Sequence, residues 1–90
     1  MLQTNFYCKF GEIDIICKDN NCLVFVEVRS KSYEDFGKPE ETVDYKKQQK
    51  IIKTANYFIE KSCVDYDEIR FDVVAILKGE IKHFQNAFEV

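Results

Sequence analysis

Two carboxylates, Asp14 and Glu27, have the residue type and the spacing to bind a metal ion. Each lies in a segment where β-branched and aromatic residues alternate with polar ones, which predicts two strands, and the asparagines at 20 and 21 suit the tight turn of a hairpin. In that hairpin Asp14 faces Glu27, and Glu12 faces Arg29. Like charges that face each other are destabilising unless an ion lies between them. Because Mg²⁺ binds through one or two carboxylates, the hairpin predicts a site for metal-assisted phosphodiester chemistry.

The same residues also have a plainer interpretation. Charged pairs are common on the solvent face of antiparallel hairpins, where acidic and apolar residues alternate along each strand. In the predicted register Arg29 is equally suited to a cross-strand salt bridge with Glu12. The residue pattern alone therefore leaves both a metal site and an ordinary charged hairpin open.

The elements that position this hairpin are predicted in the order β-β-β-α-β, followed by a short returning strand. The predicted strands cover residues 5–10, 11–18, 22–30, 68–77 and 80–84, and residues 31–42 form a connecting loop. A helix is predicted from an N-cap at Asp44 to about Lys61. Its buried face is predicted to carry Gln48, Ile51, Ile52, Ala55, Phe58 and Ile59. This order favours a single α/β domain with a mixed sheet and one crossover helix.

Composition limits the class of protein. Hydrophobic residues make up 46% of the chain, which is enough for one small core. No run is long enough to span a membrane and the first residues lack a secretory signal pattern, so we expect a cytoplasmic protein. The four cysteines lack zinc-site spacing and are expected to be reduced thiols.

The net charge of −3 counts against a uniformly basic surface for nucleic acid. A local cluster of lysines offsets this objection. Lys46, Lys47, Lys50 and Lys53 lie together on the predicted helix, and three of them recur at helical spacing on one face. We interpret them as a strip for the phosphate backbone, although most such clusters are solvated faces.

Two further polar residues lie near the C-terminus. Asp72 falls within an apolar run, where an unpaired carboxylate would be costly, so it is predicted to pair with Arg70 or a backbone amide rather than with metal. His83 lies on a predicted edge strand and is given no role.

Several ordered segments of the chain resemble the YraN family, predicted endonucleases grouped with the Holliday-junction-resolvase-like branch of the PD-(D/E)XK nuclease superfamily. The matching segments are G-E-I-D-I-I from Gly11, L-V-F-V-E-V-R from Leu23, F-G-K-P-E-E-T-V from Phe36, K-K-Q-Q-K-I-I-K-T-A from Lys46, R-F-D-V-V-A-I from Arg70 and N-A-F from Asn86. The resemblance implies a restriction-endonuclease-like mixed sheet. It also implies a Mg²⁺- or Mn²⁺-dependent endonuclease that acts on DNA, including branched or single-stranded forms.

The resemblance also implies roles for individual residues. Asp14, Glu27 and the backbone carbonyl of Val28 would hold the metal, and Gln48 would help to place the substrate strand. Arg29 stands where the superfamily motif has lysine. A guanidinium stays protonated, so Arg29 can steady developing charge but cannot act as a general base.

One departure from the family concerns the first ten residues. Members usually begin with a helix that supplies a glutamate and covers the sheet, whereas here only Met1 to Phe10 precede Gly11. We therefore expect an N-terminally truncated domain over residues 1–90 that binds DNA, cleaves it poorly and forms a homodimer through its uncovered apolar face. The alternative is a non-catalytic nucleic-acid-binding or assembly module with a nuclease-like fold.

Overall fold

The computed structural model describes residues 2–30, 44–77 and 79–88, which form one five-stranded sheet and one helix. In chain order the elements are β1 Gln3–Cys8, β2 Gly11–Asp19, β3 Cys22–Ser30, α1 Tyr45–Lys61, β4 Glu68–Leu77 and β5 Glu80–Phe88. The strands lie side by side in sequence order. Among the strand pairs that the described residues form, only β3 and β4 are parallel, and α1 lies in the connection between them. The predicted mixed sheet with a helix between its third and fourth strands is confirmed.

The β2–β3 hairpin has the predicted turn and register. Asp19 faces Cys22, the ladder continues to Ile15 opposite Val26, and Asn20 has the positive φ of 56° that such a turn requires. The described ladder ends there. The direct pairings predicted for Asp14 with Glu27 and for Glu12 with Arg29 are therefore not part of it.

The strand alternation breaks at the point where this ladder ends. Ile13 and Ile16 are three residues apart, yet both lie in the core, so the side-chain period of two is interrupted between them. On the neighbouring strand β1, Asn5 has a φ of 53°. The break places Asp14 at an irregular position of β2, beside β3.

The predicted boundaries of β1 and β5 were wrong, and β2 ends at Asp19, one residue later than predicted. β1 begins two residues earlier than predicted and ends at Cys8, because Gln3 and Thr4 pair with β2 and Cys8 pairs with Gly11 across the turn. β5 continues to Phe88, because the register shifts within the β4–β5 ladder and brings Phe88 opposite Phe71. The predicted loop over residues 31–42 lies outside the described residues, as does the family segment that begins at Phe36.

The core is a row of aromatic rings that joins the helix to the sheet. The Phe58 ring of α1 lies 5.3 Å from Phe6 and 6.1 Å from Phe25, both edge to face. Phe25 stacks on Phe71 at 5.6 Å, and Phe71 stacks on Phe88 at 5.0 Å. Because each ring contacts the next, this row fixes α1 against β1, β3, β4 and β5.

Helix α1 begins where the sequence predicts. The Asp44 carboxylate accepts a hydrogen bond from the Lys47 backbone N–H at 2.8 Å, which confirms the predicted N-cap. Four of the residues predicted to be buried are buried, while Gln48 and Ile59 are half-buried. Thr54, which was not predicted, is also buried, because its hydroxyl donates to the Lys50 carbonyl at 2.8 Å.

Asp72 is a fully buried carboxylate with several partners. Arg70 donates two hydrogen bonds to it at 2.8 and 3.0 Å, and the Asn86 backbone N–H donates a third at 3.0 Å. These bonds confirm the predicted pairing with Arg70 and a backbone amide. His83 Nε2 lies 2.7 Å from the same carboxylate, a contact that the sequence did not predict. Burial alone would raise the Asp72 pKa, but the bonds from Arg70, Asn86 and His83 together lower it below its ordinary value.

Two further predictions concern the described part of the chain. Cys8, Cys17, Cys22 and Cys63 are all free thiols. Among the described residues, no helix is long and apolar enough to cross a membrane.

Candidate active site

Asp14 is held against β3 by its own side chain. Its Oδ2 accepts a hydrogen bond from the Val28 backbone N–H at 2.8 Å, so the carboxylate bonds to β3 just beyond the end of the regular ladder. Such a bond fixes the position of a side chain that a regular strand would leave free to rotate. Asp14 and Val28, two of the three predicted metal-binding positions, are therefore in direct contact.

Glu27 is a buried carboxylate on the next strand, with only 7% of the residue exposed. Burial is the main cause that raises the Glu27 pKa above its ordinary value, while the attraction of Lys47 lowers it and the negative charge of Asp14 raises it. Asp14 and Glu27 line the same cleft, so the structure brings the two predicted metal-binding carboxylates to one surface.

Two cations lie on the Glu27 carboxylate. Lys47 Nζ is 3.3 Å from Glu27 Oε2, and Arg29 Nη1 is 3.6 Å from the same oxygen. The salt bridge considered for Arg29 was to Glu12, but the cation pairs with Glu27 on its own strand instead. Lys47 comes from the first turn of α1, so its contact depends on how the helix packs on the sheet.

A cleft of about 520 Å³ opens beside this cluster. It lies between the β1–β2 turn and the first turns of α1, and its lining residues are Tyr7, Cys8, Lys9, Phe10, Gly11, Glu12, Asp14, Glu27, Val28, Lys47, Lys50 and Ile51. Gly11 allows the helix to approach β2, because a Cβ at this position would lie 3.2 Å from Thr54 Oγ1. Its φ of +156° is also a conformation that other residues rarely adopt.

The remaining predicted site residues lie outside the lining of this cleft. All four predicted lysines are exposed on α1, and of these Lys47 and Lys50 line the cleft, whereas Lys46 and Lys53 do not. Gln48 is half-buried and engaged in an interaction, but it is not among the described lining residues. The role predicted for it stays a prediction.

Two aromatic residues of the cleft were missed by the sequence analysis. Tyr7 is 76% exposed, and Phe10, at 38% exposed, packs edge to face on Tyr57 with Lys9 Nζ 5.2 Å from its ring centre. The sequence contains a signal for them, because Tyr7 and Phe10 lie on either side of Lys9, a pattern typical of nucleic-acid binding. This signal was not recognised, because the same residues also suit a half-buried strand.

The donor set of the site fits a hard divalent cation. Asp14 and Glu27 supply carboxylate oxygens, and Mg²⁺ is commonly held by one or two carboxylates while water and phosphate complete its shell. Among the described residues, no group of three or more histidine, cysteine, aspartate or glutamate side chains is placed to hold a metal. Two carboxylates therefore suit an ion that shares its shell with substrate rather than one enclosed by protein.

A larger cleft of about 860 Å³ lies near the first residues of β3 and β4. None of the predicted site residues lines it. Arg70, which lines it, is bound to Asp72 and also lies 3.5 Å from Asp19. We assign no chemistry to this cleft.

Comparison with known proteins places the chain in a family. Residues 1–76 match the family described as "Uncharacterised protein family UPF0102". The chain belongs to this family. It is 47% identical over 90 residues to a UPF0102 protein of Persephonella marina, covering all of this chain and 78% of the relative. It is 49% identical over 88 residues to one of Thermodesulfovibrio yellowstonii (98% of this chain, 78% of the relative) and 46% identical over 90 residues to one of Clostridioides difficile (98% and 79%).

Membership of UPF0102 confirms the resemblance to YraN-like proteins at the level of the family. Asp14 and Glu27 both lie within the matched residues, as do Lys47 and Lys50.

Proposed function

We propose that this UPF0102 protein is a divalent-metal-dependent endonuclease-like hydrolase of DNA phosphodiesters. The observation that carries the proposal is the convergence of Asp14 and Glu27 in a cleft that also contains lysines. Two neighbouring carboxylates, of which Glu27 is buried and Asp14 half-buried, are unfavourable unless positive charge lies nearby. A cleft that takes up both a cation and a phosphate suits such a pair.

The residues of the site have separate tasks. Asp14 and Glu27, with the Val28 backbone carbonyl, would hold Mg²⁺ or Mn²⁺, and the hydrogen bond between Asp14 and Val28 would keep that arrangement rigid. Such an ion, when bound, lowers the pKa of a water and neutralises charge on the scissile phosphate. The Arg29 guanidinium contacts Glu27 and would stabilise negative charge that develops on the phosphate.

The cleft also carries features that suit a DNA strand with unpaired bases. Lys9 and Lys50 line it, and ammonium groups attract the phosphate backbone. The exposed rings of Tyr7 and Phe10 lie in the same lining. Because aromatic side chains stack on unpaired bases, we propose that the substrate is single-stranded or branched DNA.

A second candidate function is a nucleic-acid-binding or assembly module without catalysis. It is favoured by the two cations on Glu27, because Lys47 and Arg29 neutralise this carboxylate without any metal. Arginine in place of the motif lysine points the same way, since it cannot accept a proton from water.

The two candidates differ in one experiment. Asp14→Asn retains a side-chain oxygen that can accept the Val28 N–H but loses the charge that a metal requires. If the protein is an endonuclease, this variant should bind single-stranded DNA as the parent does and should lose Mn²⁺-dependent nicking. A parent protein that binds DNA and never nicks it in Mn²⁺ would favour the binding module.

A further inference from the structure

The ion pair between Lys47 and Glu27 cannot be explained by the helix that carries Lys47. Lys47 lies in the first turn of α1, which contains no acidic residue, and a cation near a helix N-terminus is opposed by the helix dipole. Its Nζ nevertheless lies 3.3 Å from Glu27 Oε2. The attraction of the buried Glu27 carboxylate therefore explains why a lysine lies at this position.

Among the described residues, the two carboxylates of the site and the two cations on Glu27 balance in charge without a metal. Asp14 and Glu27 contribute two negative charges, and Lys47 and Arg29 contribute two positive ones. A divalent cation held by Asp14 and Glu27 would repel both cations, which contact the same Glu27 oxygen, Oε2. Metal and ammonium therefore compete for the same carboxylate.

Lys47 is the cation better suited to leave. Its side chain is 44% exposed, compared with 31% for Arg29 and 8% for Glu27. Lysine carries its charge on a flexible four-carbon chain, so it can swing into solvent at small cost. Lys47 lines the same cleft as Lys9 and Lys50, so its released ammonium group would stay beside them.

We infer that Lys47 is an exchangeable counter-cation of Glu27, which neutralises this carboxylate in the metal-free protein and is released to the substrate phosphate when Mg²⁺ or Mn²⁺ binds. The inference rests on the proposed function, because it requires the metal site at Asp14 and Glu27.

The exchange has a thermodynamic consequence that can be checked for consistency. Removing the Lys47 charge should tighten Mn²⁺ binding about fivefold, as expected for an ion pair with one buried and one half-exposed partner. The same change should lower the free energy of unfolding in EDTA by about 1 kcal/mol, which corresponds to the same fivefold factor. In saturating Mn²⁺ this loss of stability should disappear, because the ion pair is already broken in the metal-bound parent.

The experiment is calorimetric titration with Mn²⁺ alone, combined with urea unfolding in EDTA and in saturating Mn²⁺. Lys47→Gln is the test variant, and Lys46→Gln is its matched control, because the neighbouring lysine lies in the same helical turn and loses the same charge. Lys47→Arg keeps the cation and should behave as the parent does. We expect tighter binding and lower metal-free stability only in Lys47→Gln.

Two failures have different meanings. If the parent binds Mn²⁺ and Lys47→Gln binds it no more tightly than Lys46→Gln, the exchange is refuted while the metal site survives. If neither the parent nor any variant binds Mn²⁺, the metal site of the proposed function is refuted, and the exchange with it.

Discussion

Glu27 places a carboxylate where solvent cannot stabilise its charge. Burial is the main cause of its raised pKa, and the opposing attraction of Lys47 does not cancel that effect. An acid whose pKa is higher in the folded than in the unfolded protein costs stability once it ionises. The cost is absent below its ordinary pKa and is fully present above the raised one.

The first prediction follows from this sign. Without metal, Glu27→Gln should be at least as stable as the parent near pH 7, and the difference should shrink as the pH falls towards about 4. Urea unfolding in EDTA at several pH values measures it. A variant that is clearly less stable than the parent at neutral pH would show that the ion pairs of Glu27 outweigh its burial.

Asp72 is the opposite case. It too is buried, which alone would raise its pKa, but the hydrogen bonds from Arg70, Asn86 and His83 together lower the pKa. The ionised carboxylate therefore stabilises the fold at pH values above its ordinary pKa. This stabilisation is lost as the pH falls through the lowered pKa. We predict that Asp72→Asn costs about 3 kcal/mol at pH 7, because it leaves the Arg70 charge without its partner. His83→Gln, which changes a half-exposed partner, should cost under about 1 kcal/mol.

Chemical denaturation of both variants at pH 7 and in acid measures these costs. The deficit of Asp72→Asn should narrow in acid, where the parent carboxylate also loses its charge. An Asp72→Asn protein as stable as the parent at neutral pH would show that this cluster does not stabilise the fold.

At the scale of secondary structure, the elements that were predicted correctly are those marked by a regular alternation of apolar and polar residues. β3 and β4 have the predicted boundaries, because alternating β-branched residues and flanking polar turns mark both ends. β5 was predicted too short, because its last residues are ordered by tertiary contacts. The Asn86 backbone bonds to Asp72, and Phe88 stacks on Phe71.

The same distinction applies to the site. The turn at Asn20 and the register as far as Ile15 and Val26 could be predicted, and they bring the strands that carry Asp14 and Glu27 side by side. The break in alternation at Asp14 and its hydrogen bond to the Val28 N–H could not be predicted from the pattern. The contact of Lys47 with Glu27 was not predictable, because it depends on how closely α1 packs on β2 at Gly11. Local sequence patterns carry no information about such a distance between elements.

The β1–β2 hairpin leads to a prediction about the substrate. If Tyr7 stacks on an unpaired base, Tyr7→Ala should weaken binding to single-stranded DNA about tenfold and leave duplex binding nearly unchanged. Tyr45 is a matched control, because it is 74% exposed but does not line the cleft. Fluorescence anisotropy with the two kinds of DNA measures the effect. Equal losses on both would mean that Tyr7 does not read unpaired bases.

At the scale of the whole molecule, the net charge of −3 hides an uneven distribution. Lys46 and Lys53 are exposed on α1, next to the turns that carry Lys47 and Lys50 into the cleft. A protein that binds DNA through such a strip releases counterions, so its affinity falls steeply with salt.

The salt dependence is therefore a prediction for the whole surface. Lys46→Gln combined with Lys53→Gln should flatten the slope of log affinity against log salt by roughly two units. Lys18→Gln combined with Lys61→Gln removes the same charge elsewhere and should leave the slope nearly unchanged. Equal slopes for both double variants would place the DNA on another surface.

Metal-dependent nicking of DNA is the decisive test of the claim that Asp14 and Glu27 form a metal site for phosphodiester cleavage. The measurement is single-turnover cleavage of labelled single-stranded DNA by excess protein, in Mn²⁺ and in EDTA. We predict slow cleavage by the parent that requires Mn²⁺, falls at least about a hundredfold in Glu27→Gln and persists in Glu12→Gln, which removes a carboxylate from the same cleft wall. Cleavage that is absent from the parent, or equal in the parent and Glu27→Gln, would contradict the claim.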